Sequence, residues 1–210
     1  MYYLLTKMIE NIIVCMAGLG SIDISVTMHQ MTAKLEKDNR VVFVDRAGYG
    51  MSEDSKNKQT NEQIVSDYRN ALKNAGIKPP YILMPHSIGG AYATYWESKY
   101  SDEIEAVMFV DGSQISATAF DDEDHSDGFS NTFLKITDFF GLHRLALRSY
   151  YYLLPDNYSE REQKLGDALV GNSMCNSAIN SEEMLIAQNT QEAFDSIVTN
   201  NIPKIYICSS

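Results

Sequence analysis

The amino-acid sequence predicts a mainly parallel α/β fold, with helices on both faces of the sheet and a helical cap inserted late in the chain. Three observations carry this. Short apolar runs recur without polar alternation, as strands covered on both faces do. Between them lie stretches with helical spacing. After Gly112 that rhythm stops, and an acidic, Tyr- and Leu-rich stretch intervenes before the next strand-like run.

The expected strands are 12–16 (IIVCM), 41–45 (opening VVFV), 81–85 (opening YILM), 106–110 (AVMFV) and 204–208 (KIYIC). Ile24, Met28, Met31 and Leu35 lie on one face of a first helix. Thr60 followed by Gln63 forms a capping box that opens a second helix through Ile64, Tyr68, Leu72 and Ala75, which Gly76 stops. A third follows Ser87 through Ala91, Tyr95 and Trp96 towards Tyr100. Strand and helix alternating in this way place the strands side by side in parallel. The domain reading is a core over 1–113, a cap over 114–200, and the core resuming over 201–210.

With 210 residues, 44% hydrophobic and 21% charged, the chain has the composition of one packed domain carrying an insertion. Lys and Arg number 17 against 28 Asp and Glu, and the net charge of −11 repels phosphate backbones and anionic lipid. No nucleic-acid partner and no membrane partner are expected. Cys15, Cys175 and Cys208 lack metal-ligand spacing, so no metal and no cofactor are expected, and a reducing, cytoplasmic setting fits the odd thiol count. The N-terminal MYYLLTKMIEN is too short in apolar residues for a signal peptide or a membrane span.

The chemistry concentrates in YILMPHSIGGAYATYW. A buried strand ends at Pro85-His86-Ser87, and Ile88-Gly89-Gly90 opens a helix. A serine on so sharp a strand-to-helix turn is pushed outward at the top of the sheet, and Gly89 and Gly90 let neighbouring backbone approach. The helix start also aims N–H groups at charge forming near Ser87. The plainer alternative is that Ser87 only caps that helix. Two more strand ends carry special loops: Met16-Ala17-Gly18-Leu19-Gly20-Ser21, able to present a second N–H, and Asp45-Arg46-Ala47-Gly48-Tyr49-Gly50-Met51-Ser52.

Over residues 11–113 the GLG loop, the DRAGYGMS turn, the PYILMPHSIGG elbow and YSDEIEAVMFVDG together resemble the α/β-hydrolase superfamily, in its capped lipase, esterase and peptidase-like branch. The resemblance implies Ser87 as nucleophile and the backbone N–H groups of Leu19 and Ile88 as oxyanion hole. It implies a small-molecule substrate, with a small carboxylic ester the leading candidate and an acyl-serine intermediate. The family has histidine before the glycine loop where this chain has Ala17, and proline stands at the first position of G-x-S-x-G.

The resemblance also orders the remaining triad as acid, then histidine, after strands beyond the last one here. His125 and His143 fall in the cap and His29 in the first helix, while His86 is expected to point away from the oxyanion side. Asp111, ending a strand, is a possible acid. The chain thus reads as shortened at both ends, and Ser87 in it as nearly inert. A non-catalytic binding protein on the same fold is the alternative. A dinucleotide site, suggested by Gly18-Leu19-Gly20 and Asp45, fails because Asp23 stands where the third glycine belongs.

Overall fold

The computed structural model describes residues 11–21, 24–111, 159–169 and 176–208. Most of the expected cap, including His125 and His143, lies outside the described residues. The strands are β1 (Ile12–Met16), β2 (Arg40–Phe43), β3 (Tyr81–Pro85), β4 (Ile104–Val110) and β5 (Lys204–Ile207). They pair in the order β2-β1-β3-β4-β5, every neighbour parallel. In this order the chain winds outward in opposite directions from β1 and β3. In sheets of this kind ligands bind outside the carboxyl ends of the strands at such a point of reversal, which here lies between β1 and β3.

Period-two alternation divides the strand residues between two cores. Ile13, Cys15, Met84 and Val110 face α1 (Ile24–Thr32), with Ile24 and Met28 packed among them. Val14, Met16, Leu83 and Val107 face the opposite way, towards Ile64, Tyr68 and Leu72 of α2 (Asn61–Asn74) and Tyr92 and Trp96 of α3 (Gly89–Lys99). Helices on both faces explain why the strand runs do not alternate in hydrophobicity. Burial pushes the thiol of Cys15 up to about 12, which keeps it an inert hydrophobe.

Local chemistry sets the ends of the elements. Thr60 accepts from Gln63 N at 3.3 Å, but the Gln63 amide turns to Asp67 instead of back to Thr60, so only half of the expected capping box forms. Gly76, at φ +70°, ends α2 as expected. Its N–H reaches Lys73 O and that of Ile77 reaches Leu72 O, the paired bonds of a Schellman closure. The first helix is shorter than its apolar spacing suggested. It ends at Thr32, whose hydroxyl bonds back to His29 O, and Leu35 lies in a separate 3-10 turn. β2 leaves the ladder at Phe43, two residues before the expected end, as the chain turns into the Asp45 loop.

Beyond β4 the described residues form α4 (Glu160–Leu169), α5 (Ser177–Met184) and α6 (Ile186–Asp195). The last packs on α3 and α2, with Ala193 in their core. Asn61 and Asn189 tie α2 to α6 through Asn61 Nδ2 to Asn189 O at 2.8 Å and Asn189 Nδ2 to Gln59 O at 2.9 Å. Among the described residues no helix is long and apolar enough to cross a membrane.

Candidate active site at the carboxyl edge of the sheet

Ser87 occupies the left-handed region at φ +51°. A non-glycine residue rarely adopts this conformation, and such strained residues cluster at active sites and ligand clamps. The turn is held from both neighbouring strands: His86 N donates to Met16 O at 2.9 Å and Ser87 N to Val110 O at 3.4 Å. Helix α3 starts at Gly89, with Ile88 as its N-cap and no side-chain cap. Ser87 is therefore not the cap of this helix, and the plainer reading of the serine falls away.

The glycines are required by approach distance. A Cβ on Gly89 would stand 3.0 Å from Met16 O and 3.1 Å from Ala17 O. One on Gly18 would stand 3.0 Å from the Ser87 Cβ and 2.9 Å from His86 Nδ1. The glycine loop and the elbow thus touch backbone to backbone, as the sequence pattern implied. Gly90 is buried in the first turn of α3. Leu19 packs its side chain against the core beneath. Among the described residues, neither the N–H of Leu19 nor that of Ile88 has an acceptor.

The other expected residues fall as follows. His86 is exposed, and its Nδ1 lies against Gly18 of the glycine loop. His29 lies in α1, 3.7 Å from Glu36. The Ser87 hydroxyl has no hydrogen-bond partner among the described residues. Asp111 follows the Val110 carbonyl that meets Ser87. It is exposed, has φ +43°, and its N–H donates to Ile207 O at 2.7 Å.

The Asp45 carboxylate, which imitates a ribose-binding acid in sequence, accepts from Ile24 N (3.4 Å) and Met51 N (3.3 Å). It anchors the start of α1 and its own loop. Gly50, at φ +51°, lies so close that any Cβ there would overlap that carboxylate.

Sequence reasoning did not single out Arg46 or Glu182. Arg46 is 4% exposed and Glu182, on α5, is 1% exposed. Arg46 Nη2 meets Glu182 Oε1 at 2.7 Å. The hydroxyls of Tyr49 and Tyr92 donate to the same carboxylate at 2.8 and 2.7 Å, and the guanidinium lies 4.3 Å from the Tyr49 ring centroid. Burial opposes the charge on Arg46, but the Glu182 carboxylate beside it holds its pKa well above the ordinary arginine value. Burial, reinforced by Glu182, raises both tyrosines, so they remain hydroxyl donors.

A sequence model of the alpha/beta hydrolase fold family matches residues 10–161, the greater part of the chain. This chain belongs to that family. The uncharacterized protein YbdG of Bacillus subtilis is 42% identical over 102 residues, which are 49% of this chain and 31% of YbdG, so the chain spans about a third of that relative. Among solved structures, Cfl2 of Burkholderia cenocepacia is similar with a TM-score of 0.70 at 14% identity, covering 93% of this chain and 71% of Cfl2. The esterase EaEST of Exiguobacterium antarcticum is similar with a TM-score of 0.59 at 15% identity, covering 93% of this chain and 72% of the esterase. The family accounts for the architecture of this α/β-hydrolase-fold chain, with the Ser87 turn at the carboxyl edge of its sheet.

Proposed function

We propose that this chain carries the nucleophilic half of a serine hydrolase acting on a small carboxylic ester. One observation carries the reading: Ser87, at φ +51°, lies against Gly18 of the glycine loop, and the N–H groups of the adjoining Leu19 and Ile88 have no acceptor among the described residues. In the proposed reaction Ser87 Oγ adds to the ester carbonyl carbon as its proton passes to a base. The carbonyl oxygen becomes an oxyanion that accepts from Leu19 and Ile88. Collapse expels the alcohol, which takes up the proton, and leaves an acyl-serine. Water then adds to the acyl carbon, the acid departs and the hydroxyl is restored.

Neither His29 nor His86 bonds the Ser87 hydroxyl, so we propose slow turnover by these 210 residues, with Asp111 retained as a possible acid. Among the described residues no base meets Ser87, and a site of this kind keeps the reactivity that the oxyanion hole and binding confer even when a base is lacking. A cytoplasmic setting belongs to the same reading and is supported by the free thiols of Cys15 and Cys208.

The test is labelling by a fluorophosphonate at high concentration over hours, followed by peptide mapping, beside p-nitrophenyl acetate hydrolysis. Slow label on Ser87, lost in Ser87→Ala, with ester turnover close to that of the variant, is the expected result. Equal background labelling of both proteins would instead favour a non-catalytic binding protein on this fold.

A further inference from the structure

The loop after β1 turns two successive carbonyls inward onto one side chain. Arg46 donates from Nη1 to Ala17 O at 2.5 Å and from Nη2 to Gly18 O at 3.2 Å. In a trans peptide the C=O and N–H point in opposite directions. The Gly18 carbonyl shares its peptide with the Leu19 N–H, so a guanidinium holding that carbonyl directs the Leu19 N–H away from itself. That peptide leaves Gly18, the residue lying against Ser87.

The guanidinium is itself held. Nε and Nη2 reach the two oxygens of Glu182 at 3.4 and 2.7 Å, and Tyr49 and Tyr92 fix the carboxylate from its other sides. A pair this deeply buried is a weak source of net stability, because desolvation offsets most of its attraction. Its geometry does achieve something an apolar pair could not. A rigid fork meets a carboxylate along one edge and presents its remaining donors to two adjacent carbonyls.

We infer that Arg46, clamped by Glu182, is a positioning residue that sets the direction of the Leu19 N–H and so readies the second oxyanion donor. The inference rests on the serine-hydrolase reading for its chemical meaning, but its geometry can be tested apart from that reading. It also assigns a task to α5: a helix 136 positions downstream of Arg46 in sequence holds the loop that faces the reacting serine.

The decisive measurement is the residual dipolar coupling of the Leu19 N–H, which reads the direction of that bond, in weakly aligned 15N-labelled chain. Wild type, Arg46→Lys and Glu182→Gln are compared, with the couplings of Val14, Cys15 and Leu83 as controls for the sheet. Lysine keeps the charge but cannot span both carbonyls and the carboxylate, while glutamine keeps the volume and one acceptor oxygen. The Leu19 coupling is expected to change in both variants while the controls hold. An unchanged Leu19 coupling overturns the inference.

Should Arg46→Lys lose the fold, the control couplings will show it, and Glu182→Gln then decides alone. Ser87 labelling is followed in parallel and is expected to slow by about a hundredfold or more, the scale of losing an oxyanion donor. If the Leu19 coupling changes but labelling of Ser87 keeps its rate, the N–H is not a donor and the inference fails. If wild type takes no Ser87-dependent label, the serine reading fails, and the dipolar coupling still decides whether Arg46 orients the loop.

Discussion

The carboxylate of Asp54, in the loop after β2, accepts from the backbone N–H groups of Ser177 and Ala178 at 3.0 and 2.8 Å, capping a helix more than 120 positions downstream. Asn176 completes the cap by accepting from Ile179 N at 2.8 Å, and its own Nδ2 donates to Gly48 O at 2.7 Å. Three of the N–H groups that a helix start leaves unsatisfied are thereby met, two of them from the core. This is how α5 is moored, and mooring α5 places Glu182.

Asp54 should therefore make the molecule sensitive to acid. Its slight burial acts to raise its pKa, but the N–H donors of Ala178, Ser177 and Ser55 outweigh that and hold it below the ordinary aspartate value. Because the unfolded carboxyl binds its proton more readily, the stabilisation is complete above the unfolded pKa of about 4 and is lost as pH falls through the folded value. Asp54→Asn is expected to lower stability at pH 7 by about 1 kcal/mol, the usual worth of a cap. The difference from wild type should shrink below pH 4, as urea denaturation at several pH values would show.

The strained serine offers a stability test independent of chemistry. At φ +51° glycine is at ease and alanine is not. Ser87→Gly is expected to exceed Ser87→Ala in stability by about 1 kcal/mol. Thermal unfolding of the two variants measures this, and equal stabilities would mean that the turn is not left-handed in solution.

Gly89→Ala tests the contact between the elbow and the first strand. The added methyl meets main-chain oxygens at 3.0 and 3.1 Å, and backbone cannot rotate away as a side chain can. A loss of about 1–3 kcal/mol is expected, typical of overpacking. Ser87-dependent labelling should fall with it.

The buried pair should behave asymmetrically. Removing either partner alone, as in Arg46→Met or Glu182→Leu, leaves a buried charge and is expected to cost about 3–5 kcal/mol. The double variant should recover much of that loss. Denaturant unfolding of the four proteins closes the cycle, and simple additivity of the two losses would contradict the coupling seen between them.

β5 presents Ile205, Tyr206 and Ile207 at 56%, 67% and 45% exposure, although Tyr206 stacks on Phe109 at 4.8 Å. Among the described residues β5 is an edge strand, and an apolar edge strand recruits other strands. Light scattering of the 210-residue chain is expected to show concentration-dependent association, reduced by Ile205→Lys.

The sequence by itself determined the strands, the two-sided cores and the elbow. Each is written in local physics: the period of apolar residues, a glycine that tolerates positive φ at Gly76, and a small residue at Gly89 where backbones approach. Only the tertiary structure decided which polar groups meet. Asp45 only imitates a ribose-binding acid in sequence, and what it does instead, anchoring Ile24 and Met51, appears only in the fold. Glu182 and Glu183 are identical neighbours on a short helix, yet the first is buried against Arg46 and the second is exposed. Nothing in the residues around them separates the two, because the worth of a charge pair depends on burial and on a partner far away in the chain. Hydrophobic periodicity is a property of a segment. A buried polar contact belongs to the assembled fold, which is why the sharp turn at Ser87 could be read in advance and the Arg46–Glu182 pair could not.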